Sequence, residues 1–127
     1  MLGSVRVGHY HACLGHLVRT YKYGRRDELE PMLGGWLREA IEAVPWRDRI
    51  EAIVPVPTHW RRRITRPVYP AERLASFVAD GTGLPQMPIL RRTRAGPHQI
   101  GLSYTARVEN VRGAFALRSG VSLNKAR

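Results

Sequence analysis

The chain has 127 residues, a length that allows one domain with a modest hydrophobic core. Its hydrophobic fraction of 43% is ordinary and excludes disorder driven by composition, while the formal charge of +11 favours polyanionic partners. Arginine supplies most of this charge, since Lys22 and Lys125 are the only lysines, and guanidinium groups make forked contacts with phosphate oxygens.

Cysteine content and hydropathy exclude several further classes of protein. The single cysteine, Cys13, lies among apolar residues, so we expect it in the core and exclude a disulfide framework or a cysteine zinc site within one chain. No apolar run reaches the roughly 18 residues of a membrane span, and the N-terminus lacks a signal-peptide hydrophobic region. We therefore expect a soluble, cytoplasmic protein without a membrane span.

Two helices are predicted before the first strand. Apolar residues at helical spacing predict the first helix over residues 7–22. Asp27 and Glu30 resemble a capping pair for the second helix, and Pro31 is tolerated in its first turn. The continuous apolar stripe that follows gives this second helix the strongest helical pattern of the chain.

The stretch over residues 52–75 has the pattern of a strand, a basic loop and a third helix. Ile53, Val54 and Val56 predict the strand. Pro70 suits the first turn of the helix, and Gly81 and Gly83 predict its end. Ligands of open α/β sheets bind at the carboxyl ends of strands, so the loop is predicted to bind pyrophosphate or another anion. Its four arginines are Arg61, Arg62, Arg63 and Arg66.

Short elements are predicted in the last third of the chain. Residues 88–94 predict a second strand at a sheet edge, Ser103 predicts the N-cap of a short helix, and residues 113–117 predict a further strand. A helix that links apolar strands favours an α/β fold with a short, mainly parallel sheet and flanking helices. We expect one domain, with an N-terminal helical part over residues 1–49 and a sheet-and-loop part over residues 50–127.

Three ordered blocks of residues carry a resemblance to a known family. The run YKYGRRDEL starts at Tyr21 and the run VPVPTHWRRRITRPVYPAERLA starts at Val54. The third block extends from Arg92 to Phe115 and contains the pattern R-x-R, Q-x-x-L-S, R-x-x-N and G-A-F. Together the blocks resemble the ComF family of phosphoribosyltransferase-like proteins associated with DNA uptake. The resemblance implies an incomplete phosphoribosyltransferase-like fold and a transferase of the glycosyltransferase class.

The chain departs from the family pattern in three places. The Gly-Phe-Asn-Gln of the family's basic loop is replaced. The N-terminal four-cysteine zinc ribbon is missing. The chain also lacks the C-terminal phosphoribosyl-pyrophosphate motif, which consists of two acids and a Thr-Thr-Gly turn. In complete members that motif holds the 5-phosphate and the ribose hydroxyls, and Mg²⁺ completes the site. We therefore expect a catalytically incomplete chain without a cofactor of its own. The replacing residues are Pro67, Val68, Tyr69 and Pro70.

The third block also supplies a second group of candidate site residues. They either contact a ligand or form a structural network that satisfies buried backbone groups. Its members are Arg92, Arg94, Gln99, Arg107 and Asn110. A metal site is not predicted, because His9, His11 and His16 lack the i, i+4 spacing of ligands on one helix face.

Three functions remain open at this point. In the first, a phosphoribosyltransferase-like domain binds a phosphorylated ligand such as phosphoribosyl pyrophosphate on its basic loop. In the second, a nucleic-acid-binding accessory protein without enzymatic activity neutralises the phosphates of single-stranded DNA, and Trp60 or Tyr69 stacks on bases. In the third, an inactive subunit has an open sheet edge that a second copy or a partner protein covers.

Overall fold

Helices make up most of the regular structure. The computed structural model describes residues 3–9, 13–24, 26–57, 69–94, 101 and 103–121. The helices in these ranges are α1 (Cys13–Gly24), α2 (Glu30–Glu42), α3 (Pro70–Thr82) and α4 (Tyr104–Val111), with short 3-10 helices at Asp27–Leu29 and Arg47–Arg49. The strands are β1 (Leu90–Arg92) and β2 (Phe115–Leu117), which pair in antiparallel orientation.

The first helix is shorter than its sequence pattern predicts. Residues 3–9 are not helical, and α1 begins at Cys13, so the predicted start at residue 7 is wrong. Cys13 is exposed as the first residue of this helix, which corrects its expected place in the core. The residue of α1 that enters the core is Tyr21, which is only 3% exposed.

Helices α2 and α3 pack against each other and form the main core of the described chain. Leu33 on α2 and Val78 on α3 are 5% and 3% exposed. Gly34 allows a close approach of the two helices, because a Cβ atom at this position would overlap the ring of Phe77. The apolar stripe predicted for the second helix is therefore the surface that α3 covers.

Three helix ends follow their predicted signals. Pro70 is the first residue of α3, and Gly83 ends that helix in the left-handed conformation with a φ of 69°. The Ser103 hydroxyl accepts a hydrogen bond from the Ala106 N–H at 3.3 Å, which caps α4. Turn chemistry at these positions is local, so the sequence alone identifies it.

The predicted α/β fold with a mainly parallel sheet is wrong. In the described residues the one ladder of strands is the antiparallel β1–β2 pair, and parallel pairing is limited to a single bridge between Ile53 and Gln86. Ile53 N–H donates to Pro85 O at 2.9 Å and Ile53 O accepts from Met87 N–H at 2.9 Å. The next parallel bond on this side requires an N–H at Pro55, which has none, so the ladder stops.

The extended segment over residues 52–56 has an open edge. Since N–H and C=O directions alternate along a strand, those of Val54 and Val56 point away from Gln86. Neither residue makes a hydrogen bond within the described part of the chain, and their side chains are 37% and 60% exposed. The expectation that a partner covers an open sheet edge concerns this segment.

Candidate nucleic-acid interface

The residues predicted to bind ligands fall into two groups in the structure. The four arginines of the basic loop, Arg61, Arg62, Arg63 and Arg66, lie outside the described residues, and so do Trp60 and Gln99. The structure brings the other candidates together in one small region, which we call the C-terminal unit and define as residues 90–94 and 104–118. These candidates are Arg92, Arg94, Arg107 and Asn110.

A polar cluster fixes the start of α3, the helix that follows the basic loop. Tyr21 Oη donates to Glu30 Oε2 at 3.0 Å. Arg73 Nε contacts the same Glu30 oxygen at 2.5 Å, and Arg73 Nη1 contacts Asp27 Oδ2 at 2.7 Å. Asp27 and Glu30, which the sequence assigns to helix capping, thus bind Arg73 instead, and no side chain caps α2. The cluster joins α1, α2 and α3 at their ends.

Burial and charge shift the titration of two groups in this cluster. Burial, and then the hydrogen bond to Glu30, raise the pKa of the Tyr21 phenol well above its ordinary value. The hydrogen bond to Asp27 raises the pKa of the Arg73 guanidinium, and Glu30 adds to this effect. Tyr69, the residue just before α3, is only 7% exposed, so it packs in the protein and does not present its ring for base stacking.

Charge is distributed very unevenly along the chain. Nine of the ten acidic residues lie between Asp27 and Asp80, and the single acid that follows is Glu109. Six arginines lie in the C-terminal unit, at positions 91, 92, 94, 107, 112 and 118. Five of them are exposed and Arg92 is half-buried, so the unit has a strongly positive surface.

Helix α4 presents an apolar stripe on its exposed side. Tyr104, Val108 and Val111 follow the i, i+4, i+7 spacing of one helix face and are 84%, 37% and 38% exposed. Arg107 and Arg112 flank this stripe on its two sides. The half-buried residues of α4, including Ala106 and Asn110, lie on its inward side. The helix therefore combines an aromatic surface with cationic borders.

Two of the predicted arginines hold the unit together. Arg94 Nη2 donates to Glu109 O at 3.0 Å and to Arg112 O at 2.6 Å, and so satisfies carbonyls at the C-terminal end of α4. Arg92 Nε donates to Arg94 O at 3.2 Å, and its guanidinium lies 5.6 Å from the centre of the Phe115 ring. These contacts fix the orientation of α4 relative to β1.

Sequence reasoning missed the apolar stripe of α4 and the arginines at positions 91 and 118. The spacing of Tyr104, Val108 and Val111 was the available signal for the stripe, because such a face on a short helix requires either a covering element or a partner. The two arginines have no signal in the sequence alone, since their proximity depends on the register of β1 and β2.

Two kinds of feature are absent from the described ranges. No group of three or more His, Cys, Asp or Glu side chains within them is arranged to hold a metal ion. None of the helices described there is both long and apolar enough to cross a membrane.

Comparisons with known proteins give no relative for this chain. No protein-family model matches it, and neither a curated protein nor a solved structure shows significant similarity to it. The resemblance to the ComF family thus depends on the residue blocks alone and stays a prediction.

Proposed function

We propose that the chain binds nucleic acid through the phosphate backbone, with the C-terminal unit as the contact surface. The observation that carries this proposal is the concentration of six arginines and one acid in that unit, beside the exposed stripe of α4. Phosphate contacts supply the sequence-independent part of nucleic-acid binding, and arginine pairs with phosphate through two parallel hydrogen bonds. The formal charge of +11 adds a long-range attraction to any polyanion.

Single-stranded DNA is the form of nucleic acid that we propose as the preferred partner. Tyr104 is 84% exposed and lies one helical turn before Arg107 on the surface of α4, and an exposed aromatic ring beside a cationic side chain can stack an unpaired base. A duplex keeps its bases stacked on each other and offers mainly phosphates to such a surface. The DNA-uptake context implied by the ComF resemblance is consistent with this preference.

Transferase activity stays a prediction of the ComF resemblance. The mostly helical fold of the described residues lacks the parallel sheet on which the expected phosphoribosyltransferase site would be built. The basic loop at residues 61–66 lies outside those residues. The proposal therefore uses neither phosphoribosyl pyrophosphate nor Mg²⁺, and a titration with that ligand in the presence of Mg²⁺ tests the transferase prediction separately.

The proposal is tested by fluorescence anisotropy with a labelled thymidine strand of roughly 16 nucleotides and a hairpin duplex of equal charge. Loss of one stacked base costs about 1 to 3 kcal/mol, so Tyr104→Ala is expected to weaken binding of the strand by roughly 5- to 150-fold. Binding of the duplex is expected to change by less than about twofold, because phosphate contacts remain. Tyr23→Ala, which removes another exposed tyrosine, serves as the matched control.

Three results would contradict the proposal. Absence of binding to both probes by the wild type would refute nucleic-acid binding itself. Equal weakening of strand and duplex by Tyr104→Ala would refute base stacking by this residue. Equal effects of Tyr104→Ala and Tyr23→Ala would show that α4 is not the contact surface.

A further inference from the structure

The antiparallel pairing of β1 and β2 brings two arginines onto one face of the strand pair. Arg91 is paired with Ala116 in the register. The ladder continues one residue beyond β2, because Arg118 N–H donates to Ile89 O at 2.8 Å. Side chains alternate along a strand, so Arg118 lies on the same face as Arg91. The two are diagonal neighbours, with Cβ atoms about 7 Å apart.

A reciprocal pair of hydrogen bonds orients both guanidinium groups. Arg91 Nε donates to Leu117 O at 3.3 Å, and Arg118 Nε donates to Leu90 O at 3.4 Å. Each arginine is therefore held by the main chain of the opposite strand, while its two Nη groups make no hydrogen bond within the described residues. Guanidinium groups that are already oriented lose less conformational freedom when a ligand binds.

The positive charge of this pair is not neutralised within the described residues. Both side chains are exposed, and neither makes an ion pair with a carboxylate of the described ranges. Glu109, the one acid of the C-terminal unit, contacts Arg112 at 3.5 Å instead. Ala116, the residue paired with Arg91, has only a methyl side chain on this face.

We infer that Arg91 and Arg118 form a phosphate clamp, an inference that rests on the proposed function and names residues that hold the backbone. Two oriented guanidinium groups present forked donors to the non-bridging oxygens of phosphate groups. Arg92 and Arg94 differ from this pair, because their hydrogen bonds go to Arg94 O and to the end of α4. The clamp therefore consists of two arginines that were not among the predicted site residues.

A double-mutant cycle tests the clamp with inorganic pyrophosphate and with the labelled thymidine strand as probes. The variants are Arg91→Gln, Arg118→Gln and their combination, and Arg49→Gln is the matched control because it removes one exposed arginine outside the C-terminal unit. A charge-assisted hydrogen bond is worth 1.5 to 3 kcal/mol, so each single clamp variant is expected to weaken pyrophosphate binding about tenfold or more. The combination is expected to add less than about threefold, because one remaining arginine cannot bind both sides of the phosphate.

Charge-retaining variants separate loss of the clamp from loss of the fold. Arg91→Lys and Arg118→Lys keep the positive charge but lose the Nε hydrogen bond and the forked donors, so pyrophosphate binding is expected to fall by at least about fivefold. Circular dichroism and thermal unfolding of these variants are expected to match the wild type. Retention of full pyrophosphate affinity by the lysine variants would overturn the clamp.

The two probes distinguish failure of the clamp from failure of the proposed function. Suppose that the wild type binds pyrophosphate, that the cycle shows coupling between Arg91 and Arg118, and that the strand does not bind. In that case the clamp stands and the proposed function fails. If the strand binds and the clamp variants behave like Arg49→Gln, the clamp is refuted and the proposed function stands. If the wild type binds neither pyrophosphate nor the strand, both the clamp and the proposed function are refuted.

Discussion

Replacement of Gly34 by alanine is expected to disturb the packing of α2 against α3. A Cβ atom at this position would lie 2.8 Å from Cγ of Phe77 and closer still to Cδ1. Replacing glycine by alanine inside a helix gains about 1 kcal/mol of helix propensity, whereas overpacking a core costs about 1 to 3 kcal/mol. We therefore expect Gly34→Ala to be as stable as the wild type at best and about 2 kcal/mol less stable at worst.

Gly35→Ala supplies the matched control for this prediction. A Cβ atom at Gly35 has no neighbour within 4 Å, and the residue lies on the same helix. Both variants share the gain in helix propensity, so the difference between their free energies of unfolding isolates the overpacking term of about 1 to 3 kcal/mol. Urea denaturation followed by circular dichroism measures this difference. Equal stability of Gly34→Ala and Gly35→Ala would refute the close approach of the two helices.

Four further variants test other parts of the structure. Because the folded state raises the pKa of Tyr21 above its unfolded value of about 10, its contribution to stability is complete below about pH 10 and is lost as the pH rises further. Tyr21→Phe is therefore expected to lose stability less steeply than the wild type in alkaline urea denaturation. Ser103→Ala removes the cap of α4 and is expected to cost about 1 kcal/mol, seen as faster amide exchange at the start of this helix. Arg94→Lys keeps the charge but loses the paired bonds to Glu109 O and Arg112 O, so amide exchange is expected to rise at the end of α4 and not at its start. Val56→Lys blocks the open edge of residues 52–56 and is expected to reduce self-association in analytical ultracentrifugation, if that edge pairs with a second copy. Unchanged results in these assays would contradict the respective contacts.

Local signals in the sequence predict several elements of the fold correctly. The apolar stripe of the second helix, Pro70 and Gly83 at the ends of α3, and Ser103 as the N-cap of α4 all depend on residues close together in the chain. Each of these features has a cause within one or two helical turns, such as a fixed φ or a hydroxyl that accepts an N–H. The sequence therefore contains the information that they require.

The sheet illustrates why pattern alone is insufficient. Ile53, Val54 and Val56 have the composition of a buried strand, and the parallel sheet was predicted from them. Pro55 falls on the side that faces Gln86, where a parallel ladder requires an N–H donor. Which side of a strand faces its neighbour is a tertiary property, so the cost of this proline is visible only in the structure.

The candidate site shows the same division between local and tertiary information. The excess of arginine predicts an anionic partner from composition, and the block from Arg92 to Asn110 covers all but the last residue of α4. The roles within that region depend on geometry, because Arg94 bonds to the end of α4 whereas Arg91 and Arg118 meet across two strands. Register and side-chain direction are not encoded by spacing along the chain.

The salt dependence of strand binding tests the proposed function most directly. For single strands, the slope of log K against log salt is about −0.7 for each phosphate that the protein neutralises. Removing two contacts with Arg107→Gln and Arg112→Gln together is expected to reduce the magnitude of this slope by about 1.4. Arg49→Gln, which removes an exposed arginine outside the C-terminal unit, is expected to leave the slope unchanged. A slope near zero for the wild type, or the same reduction with Arg49→Gln, would contradict backbone binding by the C-terminal unit.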